Sequence, residues 1–249
     1  MEKIIEYWKS EEKRVFKGWN FDSIESKMFE EELPWSYRQL VNSYLSTDAV
    51  LLDMGTGGGE FLLSLNYPKM IFATEGYKPN YNYAKRILAD RGIKLSFVVG
   101  LKLPYPDDMF DIIINRHESY DIDEINRVLK PGGVFITQQV GGKNNLDFTE
   151  NVMMIQRPLN DSFFSMKSES DKFVRKKFKV LFEDEYFPLL KFYDIGAFVY
   201  YAKIIEWEFP NFSVESHIDI LKELYSQIKI KGFIQMEEHR FIILCKKVG

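Results

Sequence analysis

A doubly wound, mostly parallel α/β sheet with an N-terminal helical extension is what this chain predicts, on three observations. From residue 48 onward short apolar runs alternate with helical stretches, the runs are apolar at successive positions as strands covered on both faces require, and the first run ends in a glycine-rich loop. Before residue 48 the pattern is different. Residues 1–47 show no β alternation and carry Trp8, Phe16, Trp19, Phe21, Phe29 and Trp35 among many charges. Pro34 can open a helix running to about Leu45. The expected division is therefore an extension, 1–47, and one main domain, 48–249, the aromatics of the extension serving either as packing anchors or as a lid over a ligand.

The main domain starts with "AVLLDM" as a strand, then the glycine loop, then "EFLLSL" as the start of a helix. "MIFATE" is the second strand. "KPNYNYAKRILAD" is a helix opened by Pro79, with Tyr83, Ile87 and Leu88 on one face, and "KLSFVV" and "FDIIIN" are strands three and four. In "DIDEINRVLKPGG" Asp121 can cap a helix with Glu124 three places on, Ile122, Ile125, Val128 and Leu129 make the apolar stripe, and Pro131-Gly132-Gly133 is the expected stop. "VFITQQV" is the fifth strand. Right-handed crossovers then put every strand C-terminus on one edge, where ligands of such sheets bind. Beyond Val140 the chain predicts a loop at "GGKNNLDF", a helix at "SDKFVRKKFK", strand material in "KVLFEDEYFPLLKF", a buried helix at "IGAFVYYAKII", an amphipathic helix in "VESHIDILKELYSQIKIKG" and a final strand, "RFIILCKKV".

Composition excludes several functions. The net charge is −4 and the sequence pI about 5.6, which lacks the basic footprint of a protein that grips phosphodiester backbones and counts against a nucleic-acid partner. The lone Cys245 has no partner for a disulfide, and His117, His217 and His239 are scattered without a metal-ligand spacing, so no metal site is expected. The N-terminus has no apolar signal core, and "IGAFVYYAKII" is far short of the ~18 residues that span a bilayer. A cytoplasmic protein without membrane attachment is the expectation.

"LLDMGTGGGE", residues 51–60, carries the chemistry. A phosphate-binding P-loop needs Gly-Lys-Ser/Thr where this chain has Gly59-Glu60-Phe61, and Glu60 would repel phosphate. A dinucleotide fingerprint needs a sixth-position glycine where Glu60 stands. Acidic-x-Gly-x-Gly-x-Gly, from Asp53 through Gly55 and Gly57 to Gly59, instead suits a ligand with a nucleoside and an amino-acid tail but no phosphate. Its ammonium would be favoured by a carboxylate. S-adenosylmethionine has that chemistry. Glu75, ending the second strand, can accept hydrogen bonds from both ribose hydroxyls of an adenosine, a role shared with NAD-binding folds.

Four segments in order, "LLDMGTGGGEF", "ATEGY", "LPYPDDMFDIIIN" and "INRVLKPGGVFIT", resemble the class I S-adenosylmethionine-dependent methyltransferases, the last two especially the small-molecule ubiquinone/menaquinone type and its bacterial relatives. The resemblance covers residues 48–140. It implies the Rossmann-like methyltransferase fold, a seven-stranded sheet whose last strand is antiparallel and well matched by "RFIILCKKV". It also implies cofactor contacts from Asp53, Gly55, Thr56, Gly57, Gly59, Glu75, Gly76, Leu101 and Asn115. Where many relatives have an acidic residue after strand three to meet the adenine amino group, this chain has "VVGLKLPYP". Gly100 and Leu101 take the turn, so adenine is expected on backbone groups and apolar packing.

No acceptor follows from the resemblance. "NRHE", residues 115–118, ends strand four beside the end of strand one. Asn115 can orient an acceptor through its amide. His117 can take a proton, position a substrate or hold the loop, while Arg116 and Glu118 can pair within it. Gln138 and Gln139 end strand five as candidates for acceptor contact, and alternation lets one of them point into the site. Methyl transfer to a small molecule leads. The competing readings are an RNA methyltransferase of the same class, a non-catalytic cofactor sensor or partner protein, and an NAD-dependent oxidoreductase.

Overall fold

The computed structural model describes residues 1–15, 21–65, 70–158 and 163–249. Phe16 and Trp19 of the aromatic series lie outside these. In chain order the helices are α1 (Glu2–Glu12), α2 (Tyr37–Tyr44), α3 (Glu60–Leu63), α4 (Lys78–Leu88), α5 (Ile122–Val128), α6 (Met166–Arg175), α7 (Ile195–Ile204) and α8 (Ile218–Lys231). The strands are β1 (Met28–Glu30), β2 (Val50–Met54), β3 (Met70–Glu75), β4 (Lys94–Phe97), β5 (Phe110–Arg116), β6 (Leu129–Val140), β7 (Phe178–Tyr186), β8 (Leu189–Phe192), β9 (Ile234–Glu237) and β10 (Arg240–Lys247). Among the described residues no helix is long and apolar enough to cross a membrane.

These elements form two compact units, one from Met1–Leu33, Gly141–Phe164 and Tyr186–Arg240, the other from Pro34–Val140, Ser165–Glu185 and Phe241–Gly249. The expected boundary at residue 47 therefore moves to 33/34, and the main domain is not one continuous stretch. Short local signals explain the miss. β1 has three residues, too few for alternation to show, yet it pairs antiparallel with β8, Phe29 opposite Lys191.

The unit that begins at Pro34 holds the seven-stranded sheet, in the order β4-β3-β2-β5-β6-β10-β7. β2 runs parallel to both β3 and β5, β3 to β4, and β5 to β6. Leu51, Ile112, Ile114, Val134 and Ile136 gather on one face with Val41, Leu62 and Leu88 from α2, α3 and α4. The alternate residues Leu52, Ile113 and Phe135 share a register on the other face, where the Phe135 ring lies 5.6 Å from Phe173 of α6. Covering on both faces is why these runs are apolar throughout. The C-terminal strand enters between β6 and β7, completing the seven strands.

Several boundaries differ from expectation, among them α6, which spans Met166–Arg175 rather than 170–179 because Phe178 and Lys179 already belong to β7. α5 stops at Val128 rather than at Pro131-Gly132-Gly133, because Leu129 is already extended and paired with Phe110 of β5, and Lys130 precedes a proline, which disfavours helix. α2 starts at Tyr37, not at Pro34, where the Ser36 hydroxyl accepts from Gln39 N at 3.3 Å. Asp121 caps α5 as anticipated, accepting from Asp123 N and Glu124 N at 2.7 and 3.1 Å.

The other unit is built on the antiparallel sheet β1-β8-β9 and on α7, buried from Ile195 to Ala202. α1 packs on α7. Trp8 is 1% exposed, its ring edge-on to Tyr225 at 5.8 Å, and Tyr7 Oη donates to the Asp194 carboxylate that caps α7. Residues 141–145 and 237–240, where the chain enters and leaves this unit, are held together by buried polar groups. Gly141 N donates to His239 O at 2.8 Å, Asn145 N to Glu237 O at 2.8 Å, and the Glu208 carboxylate accepts from the side chains of Asn144 and Asn145 at 2.7 Å each. Burial raises the Glu208 carboxyl above its ordinary range.

The N-terminal segment is thus core, and Trp8→Ala should destabilise this unit by about 3–5 kcal/mol, the cost of truncating a buried aromatic. Chemical denaturation followed by tryptophan-independent circular dichroism measures it. A midpoint that does not move would mean that α1 only covers the surface.

Candidate active site

β2, β3, β5 and β6 converge at their C-terminal ends, and the residues there come from a single compact unit. Asp53 sits in register with Ala73 and Ile114, 6% exposed. Burial pushes its carboxyl up to about 7, with Arg116 drawing it down and Glu75 adding to the rise. Past Met54 the loop takes left-handed backbone at Gly55, Gly57 and Gly59, with φ of +67°, +61° and +88°. Thr56 N donates to Thr74 O and Gly59 N to Thr56 O, both at 2.9 Å, which folds the loop back on β3.

Glu75 ties the loop to the second strand. Its Oε2 accepts from Gly57 N at 2.8 Å and its Oε1 from Tyr77 N at 2.7 Å, in a side chain 4% exposed. Among the described residues nothing lies within 4 Å of where a Cβ on Gly57 would project, so the loop opens onto free space there. Gly76 differs, since a Cβ on it would meet Val98 O at 2.7 Å; its glycine serves contact with the backbone beyond β4. Leu101, in the turn that follows, is 45% exposed.

Asn115 ends β5 with no exposure at all. Its Oδ1 accepts from Thr137 Oγ1 at 3.1 Å and from Gln139 Nε2 at 2.6 Å, while its Nδ2 is buried with no hydrogen-bond partner among the described residues. The expectation that this amide orients an acceptor is reduced to that one N–H group, because packing between β6 and the helix α2 closes the rest. Tyr37 of α2 completes the closure. Its hydroxyl shares a proton between Asn115 O at 3.0 Å and Ile136 O at 3.3 Å and accepts from Asn115 N at 3.1 Å. Burial raises the Tyr37 pKa, and the nearby Asp53 raises it further.

Gln138 and Gln139 point to different partners, as alternation requires. The Gln138 side-chain oxygen accepts from Trp35 Nε1 at 2.9 Å, and Gln139 joins Asn115 and Thr137. His117 is exposed at the end of β5 with φ +62°, its N–H donating to Gln138 O at 2.9 Å. Arg116 lies over the Phe61 ring at 4.7 Å. Asp53, Gly55, Thr56, Gly57, Gly59, Glu75, Asn115, His117, Gln138 and Gln139 therefore share one sheet edge. Trp35, Tyr37 and Thr137 belong with them and escape a reading of the sequence, since a boundary at residue 47 assigns the first two to an extension.

A family model described as a methyltransferase domain matches residues 52–137. Over those residues the chain is similar to that family. Its sheet has the fold of the S-adenosylmethionine-dependent methyltransferases, shared with solved structures at low identity. The YcgJ protein of Bacillus subtilis is 18% identical, with 86% of this chain and 98% of that one covered and a TM-score of 0.59. BH2331 of Bacillus halodurans is 16% identical, with 86% and 99% covered and a TM-score of 0.60. The 4+2 cyclase SpnF is 19% identical, with 85% and 80% covered and a TM-score of 0.53. No curated protein matches the chain.

Tyr37→Phe should destabilise the protein by about 1–3 kcal/mol, because it leaves Asn115 N–H and two carbonyls at the strand ends without their buried partner. Urea denaturation tests this, and an unchanged stability would show that water replaces the hydroxyl without cost.

Proposed function

We propose that this domain transfers a methyl group from S-adenosylmethionine to a small-molecule acceptor. The observation that carries the reading is the open space over Gly57 beside the buried Glu75 carboxylate, within a chain stretch that matches a methyltransferase family. The residues present fit such a cofactor. Asp53, Glu75 and Glu118 would repel a pyrophosphate and favour a cation. Glu75, oriented by two backbone N–H groups, keeps further lone pairs for ribose hydroxyls. Gly55, Thr56, Gly57 and Gly59 let the backbone approach the tail, and Gly76 and Leu101 flank the adenine side.

The cofactor, when bound, supplies a methyl group on a positively charged sulfur. The chain then has to align the reactants and exclude water. Gln138, steadied by Trp35, offers its amide N–H groups to the acceptor, and Gln139 holds the Asn115 amide in place beside it. His117 takes the acceptor proton where one must leave. The test is calorimetric titration with S-adenosylmethionine and with NAD, followed by incubation with methyl-labelled cofactor and a metabolite extract. Label in a small molecule supports the reading. Label in RNA, binding without turnover, or binding of NAD alone would replace it with an RNA methyltransferase, a sensor or an oxidoreductase respectively.

Two further outcomes follow from the residues. Burial raises the Asp53 pKa, so the side chain is neutral below about pH 7 and a carboxylate above it. Attraction to a cationic ligand is then present at high pH and lost as pH falls, by up to ~10-fold in affinity per pH unit below the pKa. The fold has the opposite preference, since a raised carboxyl pKa favours the folded state at low pH and that share is lost as pH rises through about 7. Asp53→Asn should flatten the binding profile between about pH 6 and 8; a slope that survives would come from another group.

His117→Asn keeps a residue type that tolerates left-handed backbone. It should leave cofactor affinity within about twofold and lower turnover by ~10²-fold or more, the usual loss of a general base. Unaffected turnover on the true acceptor would remove His117 from the chemistry, and a collapse of cofactor binding would make it part of the pocket wall.

A further inference from the structure

We propose that Glu118 holds the ammonium group of the cofactor's amino-acid tail above Gly55, an assignment that rests on S-adenosylmethionine being the ligand of the glycine loop. Along that loop the space released by a missing Cβ is used in two different ways. Over Gly57 it is empty among the described residues. Over Gly55 it is filled by Glu118, whose Cβ and Cγ lie 2.6 Å and whose Oε2 lies 2.7 Å from the position a Cβ would take. The first glycine of the loop, already left-handed, also makes room for the exposed Glu118 side chain from beyond β5, brought there by the left-handed turn at His117 and by Gln139 Nε2, which donates to Glu118 O at 3.2 Å.

The carboxylate is only half engaged. Oε1 accepts from Ser119 N at 3.1 Å, while Oε2, the oxygen against Gly55, has no hydrogen-bond partner among the described residues. Partial burial raises the Glu118 carboxyl above the ordinary range, the Ser119 N–H opposes the rise, and the charged group that acts on it is Glu75, of like sign. Arg116, the nearest cation in sequence, is stacked on Phe61 and acts on Asp53 instead. A carboxylate oxygen without donor or counter-ion, pressed against the loop that a cationic tail must approach, is suited to an ammonium. An ammonium offers N–H donors for a charge-assisted bond, and a sulfonium offers none.

The test is calorimetry of wild type and Glu118→Gln with three ligands. S-adenosylmethionine has both ammonium and sulfonium, S-adenosylhomocysteine keeps the ammonium alone, and 5′-methylthioadenosine has neither. Glu118→Gln should weaken the first two by about tenfold and leave the third within about twofold. Glu118→Asp, which keeps the charge on a shorter arm, should lose less than Glu118→Gln. Equal losses for all three ligands, or an Asp variant as weak as the Gln variant, would make Glu118 a shaping residue and overturn the assignment. Loss confined to S-adenosylmethionine would place the carboxylate at the sulfonium, and no loss for any ligand would place it on the acceptor side; either result overturns the assignment. Wild-type protein that binds none of the three would overturn the cofactor reading and this assignment together.

Discussion

The site depends on the Glu75 carboxylate and the two backbone N–H groups that it accepts from. Gly57 N and Tyr77 N come from different connections, one following β2 and the other following β3, and one side chain joins them. Left-handed glycines make the loop after β2 locally free to take many shapes, which is costly in entropy unless something selects one. A buried carboxylate does so strongly, because charge-assisted bonds in a desolvated place are short and directional. Without it, open space over Gly57 would be a property of a floppy loop. With it, the space has a fixed wall.

What can be read from the sequence, and what cannot, divides along the range of the interactions. Asp121 with Glu124, the apolar runs of β2, β3 and β5, and the glycine spacing are local signals, and each marks an element where the structure has one. The three-residue β1 and the early end of α5 depend instead on pairing partners, Lys191 for Phe29 and Phe110 for Leu129. No window along the chain contains those partners. Tyr37 and Trp35 are the same case at the site. Read locally they are aromatics near a helix start, and only the folded sheet reveals that Tyr37 closes the ends of β5 and β6.

The two compact units show how long excursions can leave a sheet and return without disturbing it. Polar backbone is satisfied within the excursion itself, close to where it begins and ends. At residues 141–145 and 237–240 the pairs Gly141 with His239 and Asn145 with Glu237 act like a short stretch of ladder, and Asn144 and Asn145 bring Glu208 in behind them. Burying that carboxylate is expensive unless its oxygens are hydrogen-bonded. Two asparagine amides meet the need and fix the geometry of the paired segments at the same time. α7, buried from Ile195 to Ala202, is apolar almost all round and joins this network through the Tyr201 hydroxyl, which accepts from Asn145 Nδ2 at 3.0 Å.

Under the proposed function the site has a donor side and an acceptor side, and the family match ends among its residues. The matched stretch, 52–137, contains Asp53, the glycine loop, Glu75 and Asn115, and it stops one residue before Gln138. Gln138 is hydrogen-bonded to Trp35, which precedes the stretch, so one polar contact joins residues on either side of it at 2.9 Å. Groups that recognise the methyl donor can be common to many enzymes because the donor is the same. Groups that recognise the acceptor must differ, since specificity is a difference of affinities among competing molecules. An indole–amide pair suits that role, because the bond holds Gln138 in one rotamer and a substitution at either end frees an amide to meet another ligand. Fold alone does not choose the chemistry. Under the proposed function the choice is concentrated where β5 and β6 end, on His117, Gln138 and Gln139, and it is there rather than in the glycine loop that acceptors would be told apart.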